Sequence, residues 1–153
     1  MEYDLQKETR VWERIQGAQT RRCGGLSAEE LKGLIREELA DARAYRTLAG
    51  LLPTRERETL WRLAQDERRH AKQLTAILYL AEGRRFCPEK PEKLCVSCLS
   101  EELRRRWKEE TEGAQRYEAI ARRAAEFAPT FTGMAEDEAR HARTILRLLE
   151  RLL

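Results

Sequence analysis

"AQDERRHAKQL", from Ala64 to Leu74, and "AEDEARHARTI", from Ala135 to Ile145, are two versions of one eleven-residue stretch in a chain of 153 residues. They hold the chain's two histidines, His70 and His141. Both copies read Asp-Glu-x-Arg-His-Ala. Packing would favour a repeated apolar pattern, but it requires no matched acid and histidine. Working outward, "EELADARAYRTLA" (Glu37 to Ala49) parallels "EETEGAQRYEAIA" (Glu109 to Ala121). Each places a glutamate seven residues before a tyrosine, Glu38 before Tyr45 and Glu110 before Tyr117. A second glutamate follows 29 and 28 residues on, at Glu67 and Glu138. The chain is two copies of one unit: a helix with Glu, then a helix with Glu-x-x-His.

The composition supports helix throughout. Charged residues make up 37% of the chain, with only 8 Gly and 4 Pro, and Ala, Leu, Glu and Arg dominate. The net charge is +3, and both signs interleave as on solvated helix faces rather than gathering into a nucleic-acid-binding stripe. No apolar run approaches the ~20 residues of a membrane span, and "MEYDLQKETR" has no apolar signal core. A cytoplasmic location is expected, with neither membrane nor nucleic acid as partner. In that compartment the four cysteines are thiols, metal ligands or redox groups rather than structural disulfides.

Four long helices are predicted. "SAEE" at Ser27 to Glu30 has capping-box form and opens a helix to about Ala49, ended by "GLLP". Thr54 caps a second, to about Ala81, with Gly83 as its stop. Ser100 caps a third, to about Phe127. Pro129 marks the first turn of a fourth. A short leading helix near Val11 to Ile15 packs Trp12 on the bundle, and Trp61 and Trp107 are assigned to the core. Two of the links are short, so each pair is an antiparallel hairpin. The link from about 83 to 99 is long: extended, it spans ~55 Å at about 3.3 Å per residue, more than the ~35 Å of such a helix. The predicted fold is therefore all-α: a four-helix bundle of two hairpins joined by one long crossover, of ferritin-like connectivity, over residues 27–153, behind an extension of residues 1–26.

The spacing has chemical meaning. Residues three apart share a helix face, so Glu67 with His70, and Glu138 with His141, can each serve one metal centre from one helix. Glu38 and Glu110, at mid-helix, come to a similar height. Four carboxylates and two imidazoles facing an apolar core need compensating charge. Two divalent cations balance four carboxylates, and mixed oxygen and nitrogen donors suit iron or manganese. One Glu-x-x-His alone is weak evidence, since surface ion pairs use the same spacing. Two copies that use every histidine, each with a Glu on the preceding helix, form the donor pattern of di-metal carboxylate bundles.

On these motifs, the two Glu-x6-Tyr helices and the two Asp-Glu-x-x-His helices, the chain resembles the rubrerythrin-type members of the ferritin-like superfamily over roughly Ser27 to Leu152. The resemblance implies that Glu67 and Glu138 bridge two iron ions, with manganese or a mixed pair as variants. Glu38 with His70, and Glu110 with His141, would complete the ends. Asp66 and Asp137 match acidic positions that hydrogen-bond a ligand histidine in some relatives. Within the third helix the repeat selects Glu110 over Glu109 and Glu112. Tyr45 and Tyr117 are packed core residues or electron donors. Two features depart from the family. The iron–sulfur module with paired CxxC motifs does not follow the bundle before Leu153, so electrons are expected from a separate donor such as a rubredoxin-type carrier. Where many relatives carry an extra glutamate one turn after the third-helix ligand, this chain has Gly113.

The cysteines stand apart from that pattern. Cys87, Cys95 and Cys98 fall in the crossover and Cys23 precedes the first helix. They read as a redox CxxC at a helix start, half of a zinc site, or unpaired surface thiols. The function expected is that of a di-iron oxidoreductase that reduces hydrogen peroxide or dioxygen in oxidative-stress defence. The alternatives are a ferroxidase or iron-storage unit, and a structural bundle with a vestigial site. A homodimer is expected, with halves exchanged through the crossover as one form of it.

Overall fold

A computed structural model describes residues 25–153. The expected leading helix with Trp12, and Cys23, lie outside the described residues. Four long helices follow: α1 (Ala28–Ala49), α2 (Thr54–Glu82), α3 (Leu99–Arg123) and α4 (Ala128–Leu152). A single 3-10 turn at Ala125–Phe127 joins the last two. Among the described residues there is no strand, and no helix is long and apolar enough to cross a membrane. The hairpin α1–α2 and the hairpin α3–α4 pack into a four-helix bundle.

The helix ends follow from local chemistry. At α1 the Ser27 hydroxyl accepts from the Glu30 amide at 3.1 Å, and the Glu30 carboxylate accepts from the Ser27 amide at 2.8 Å, so two otherwise unpaired donors are satisfied reciprocally. Two predicted caps move. Pro53 rather than Thr54 precedes α2, because its extended ψ of 164° breaks the incoming chain while its carbonyl accepts from the Arg57 amide at 2.8 Å. Cys98 rather than Ser100 precedes α3, its carbonyl accepting from the Glu102 amide at 3.1 Å. The Ser100 hydroxyl contacts the Cys98 sulfur at 3.3 Å instead. Gly83 ends α2 at φ 66°, a left-handed conformation that costs a residue without a Cβ little. The third helix stops at Arg123, short of the expected Phe127, because Ala124 leaves helical angles (φ −107°, ψ 61°) and turns the chain back.

The buried positions of each helix recur every three or four residues, as an amphipathic helix requires. In α1 they include Leu31, Leu34, Glu38, Ala42, Tyr45 and Leu48; in α3, Leu103, Arg106, Glu110, Gly113, Tyr117 and Ile120. The apolar members form two plugs. One gathers Leu26, Leu31, Ile35, Leu74, Leu78, Phe131 and Met134; the other gathers Leu48, Leu52, Leu60, Leu63, Leu103, Ile145 and Leu148. Between them lies a polar layer. A leucine at each polar position would contribute about 2 kcal/mol by burial, so this layer is a cost to folding that function must explain. The tryptophans assigned to the core are corrected: Trp61 is 41% and Trp107 40% exposed. Each lies beside, not on, the buried stripe of its helix, and the Arg46 guanidinium covers the Trp61 ring at 5.1 Å.

Candidate metal centre

The polar layer is made of Glu38 (α1), Glu67 and His70 (α2), Glu110 (α3), and Glu138 and His141 (α4), all between 0 and 6% exposed. Their donor atoms fall into two groups. Glu38, Glu67, His70 and Glu138 lie within 4.8 Å of one another, as do Glu67, Glu110, Glu138 and His141. Glu67 and Glu138 belong to both. Around His70 Nδ1, carboxylate oxygens of Glu138, Glu67 and Glu38 stand at 3.1, 3.2 and 3.3 Å. Around His141 Nδ1, those of Glu67 and Glu110 stand at 3.0 and 3.3 Å. One N–H cannot serve three acceptors, whereas donors ~2.1 Å from a shared cation and near right angles lie ~3 Å apart.

Satisfied and unsatisfied atoms separate by direction. Glu67 Oε1 and Oε2, Glu110 Oε2, Glu138 Oε1 and His141 Nδ1 are buried without a hydrogen-bond partner. Four other atoms of these groups are held from the far side. The Tyr45 hydroxyl donates to Glu110 Oε1, and the Tyr117 hydroxyl donates to Glu38 Oε1. His70 Nε2 faces Asp137 Oδ2 at 3.1 Å, and His141 Nε2 faces Asp66 Oδ2 at 3.1 Å. Every such contact joins the two hairpins: α1 with α3 through the tyrosines, α2 with α4 through the aspartates. Buried orphan atoms are rare, and among the described residues those of side chains all belong to the six clustered groups. The donor set, four carboxylates and two imidazoles, fits a pair of divalent cations.

Electrostatics gives the same account. Burial pushes Glu38 up to about 7 and, with Glu110 alongside, Glu138 up to about 11. Burial would raise Glu67 too, but the imidazoles of His141 and His70, 3.0 and 3.2 Å away, prevail and hold it at about 2. Burial alone would depress His141; Asp66, Glu110 and Glu67 reverse that and push it up to about 12. His70 is likewise raised by Glu138, Glu38 and Glu67 against the effect of burial. Without metal, protons supply the positive charge this layer requires.

The layer opens on one side. Between α1 and α3 a cleft of about 560 Å³ reaches Glu38, Glu110, Glu138 and Tyr117, with Glu37, Asp41, Arg105, Arg106, Glu109, Glu112 and Arg116 around it. Gly113 lies on its floor: a Cβ there would stand 3.2 Å from Glu138 Oε2. Glu109 and Glu112 have exposed side chains that pair with Arg105 and Lys108. Sequence reasoning missed Arg106, which is buried, donates to Asp41 across the cleft and lies 5.9 Å from the Tyr45 ring. Its place in the buried stripe, three after Leu103 and four before Glu110, was the available signal. Arg116 stands in the same relation to Tyr117, at 5.8 Å.

Cys87 and Cys95 are exposed, Cys98 is half-buried, and all three are free thiols. None joins either group of metal-sized spacing. The Ser100 hydroxyl and the Glu101 amide draw the Cys98 thiol below its ordinary range.

The rubrerythrin family model matches residues 101–152, about a third of the chain, from the first turn of α3 to the end of α4. No curated protein and no solved structure matches the chain. The match covers the second hairpin, and the internal repeat carries the same motifs into the first.

Proposed function

We propose that this rubrerythrin-like bundle is a non-haem di-iron oxidoreductase that reduces hydrogen peroxide, or dioxygen, with electrons from a separate donor protein. The observation that carries the reading is the pair of four-residue groups sharing Glu67 and Glu138. In this reading Glu67 and Glu138 would be shared by both ions, Glu38 and His70 would hold one end, and Glu110 and His141 would hold the other. A ferrous pair held there would supply the two electrons that, with two protons, the reduction of peroxide to two waters requires.

The chain's own groups do the rest. The two apolar plugs exclude bulk water from the layer, and the cleft between α1 and α3 admits a small polar oxidant beside Glu138. Tyr45 and Tyr117 orient the terminal carboxylates through their hydroxyls. Asp66 and Asp137 keep each imidazole turned with Nδ1 inward. A ferroxidase is the second reading, favoured by Glu37, Asp41, Glu109 and Glu112 around the cleft, which suit an entering ferrous ion.

The test is elemental analysis after anaerobic Fe(II) reconstitution, comparing the native chain with Glu67→Ala/Glu138→Ala, followed by oxidant consumption. About two irons per native chain, lost in the double variant, and peroxide consumed in preference to dioxygen are the expected results. Iron retained by the double variant would sink the metal assignment. Two bound irons that go on oxidising added Fe(II) with no donor protein present would favour the ferroxidase.

A further inference from the structure

The six clustered groups leave unexplained a second feature of the repeat, the arginine directly before each histidine. Arg69 of α2 donates through Nη1 to Asp66 Oδ1 at 2.5 Å, one turn back on its own helix, and through Nη2 to Asp137 Oδ2 of α4 at 2.6 Å. Arg140 of α4 mirrors it, donating through Nη1 to Asp137 Oδ1 and through Nη2 to Asp66 Oδ2 at 2.8 Å. Asp66, Arg69, Asp137 and Arg140 therefore close a ring in which every arginine touches both aspartates. The two aspartates are crossed with respect to the histidines: Asp66 holds His141 of the other hairpin, and Asp137 holds His70.

We propose that Arg69 and Arg140 are positioning residues that couple the two histidines, so that loss of either arginine loosens both imidazoles. The arginines are half-exposed, with side chains 50% and 49% accessible. As surface ion pairs alone they would contribute little to folding. Their geometry is the informative part. Asp66 and Asp137 are mostly covered and each uses both oxygens on guanidinium groups. The carboxylate plane is thus set before the histidine meets it, and the oxygen that Nε2 faces is the one held by the arginine of the opposite helix for Asp137 and for Asp66 alike. A guanidinium can do this because its planar fork directs two N–H bonds at fixed angles; an ammonium is a point charge and cannot. The ring also covers the α2–α4 side of the polar layer, leaving the cleft between α1 and α3 as the approach for small molecules.

The inference rests on the metal reading for its purpose but not for its test. Protein labelled with 15N-histidine would be observed metal-free and again with Zn(II), following hydrogen exchange at the two Nε2–H groups, each assigned by through-bond correlation. Arg69→Ala is expected to speed exchange at His141 as well as at His70, and to weaken Zn(II) binding by about tenfold, at the lower end of what lost outer partners of ligand histidines cost. Arg140→Ala should do the same, and Arg69→Lys should not restore the native rates. A change confined to His70, or full rescue by lysine, would overturn the coupling. If the exchange results appear as expected in metal-free protein but no metal binds, the ring stands and the di-metal reading falls.

Discussion

Single residues in this bundle take their roles from the helix face they occupy. Tyr45 and Tyr117 are wholly buried, which is what a core tyrosine requires, and both find an acceptor for the hydroxyl on the opposite hairpin. Packing and orientation of a carboxylate are then one role, not rivals. Gly113 occupies a buried position in α3 where alanine would be the better helix former by about 1 kcal/mol. The absent side chain leaves room for Glu138, whose Oε2 would otherwise be 3.2 Å from a Cβ. Gly113→Ala should therefore separate stability from binding. The metal-free variant is expected to unfold at equal or higher urea concentration while its Fe(II) or Zn(II) affinity falls. A variant that binds metal as well as the native chain would show that Glu138 yields without cost. At this same scale Arg69 and Arg140 show how a residue half in solvent can still act on a buried site, through the aspartate it fixes.

Helices and their ends are determined by short-range chemistry. The capping box at Ser27 and Glu30 satisfies two donors at the start of α1, four residues before Leu31, the first core leucine of that helix. Ser27→Ala is expected to lower stability by about 1 kcal/mol, read as a shift of the urea midpoint with unchanged slope. Metal affinity should hold, because Glu38 lies nearly two turns beyond Leu31 in an uninterrupted helix. A variant that lost metal but kept its midpoint would mean that the cap sets the helix register. The crossover, residues 83–98, has a different task. It runs beside α1, with Phe86 against Arg36 and Lys32 near its start and Leu94 and Val96 packed on the far apolar plug. That path makes α3 antiparallel to α1: Arg123 pairs with Glu30, Arg116 with Glu37 and Arg106 with Asp41 along one seam.

For the whole molecule, the polar layer is a folding problem that bound cations would solve. Glu38, Glu138 and His141 all have raised pKa values in the fold, at about 7, 11 and 12. A raised value means that the folded state holds the proton more tightly. That stability is complete below the ordinary pKa, about 4.5 for the glutamates and 6.5 for the histidine, and is lost as pH rises through the folded value. Glu67, lowered to about 2, acts oppositely and has its full effect above about 4.5. The metal-free chain, with chelator present, is therefore expected to lose stability steadily between pH 5 and pH 9, followed as the urea midpoint. Divalent metal bound by these groups would replace those protons, so loading should release protons and flatten the profile. A midpoint that rises over this range in chelator would refute the charge account given for the layer.

Much of this was legible in the sequence because it depends on spacing. Helix periodicity, the capping box, the long crossover and the doubled Glu-x-x-His all follow from positions along the chain, since a helix converts a count of residues into a direction. The two tryptophans and the caps of α2 and α3 were misread for a related reason. A bulky apolar residue one place off the stripe looks like core until neighbours are known, and Pro53 and Cys98 cap through backbone geometry, not through a side-chain acceptor. Only the tertiary structure decided which partners meet across the bundle. That Tyr45 serves Glu110, that Asp66 serves His141, and that Arg69 reaches Asp137 are contacts between residues more than sixty apart in the chain. Local spacing aims a side chain at the bundle axis, but what it meets there depends on the register of two antiparallel hairpins, which is set by packing them together.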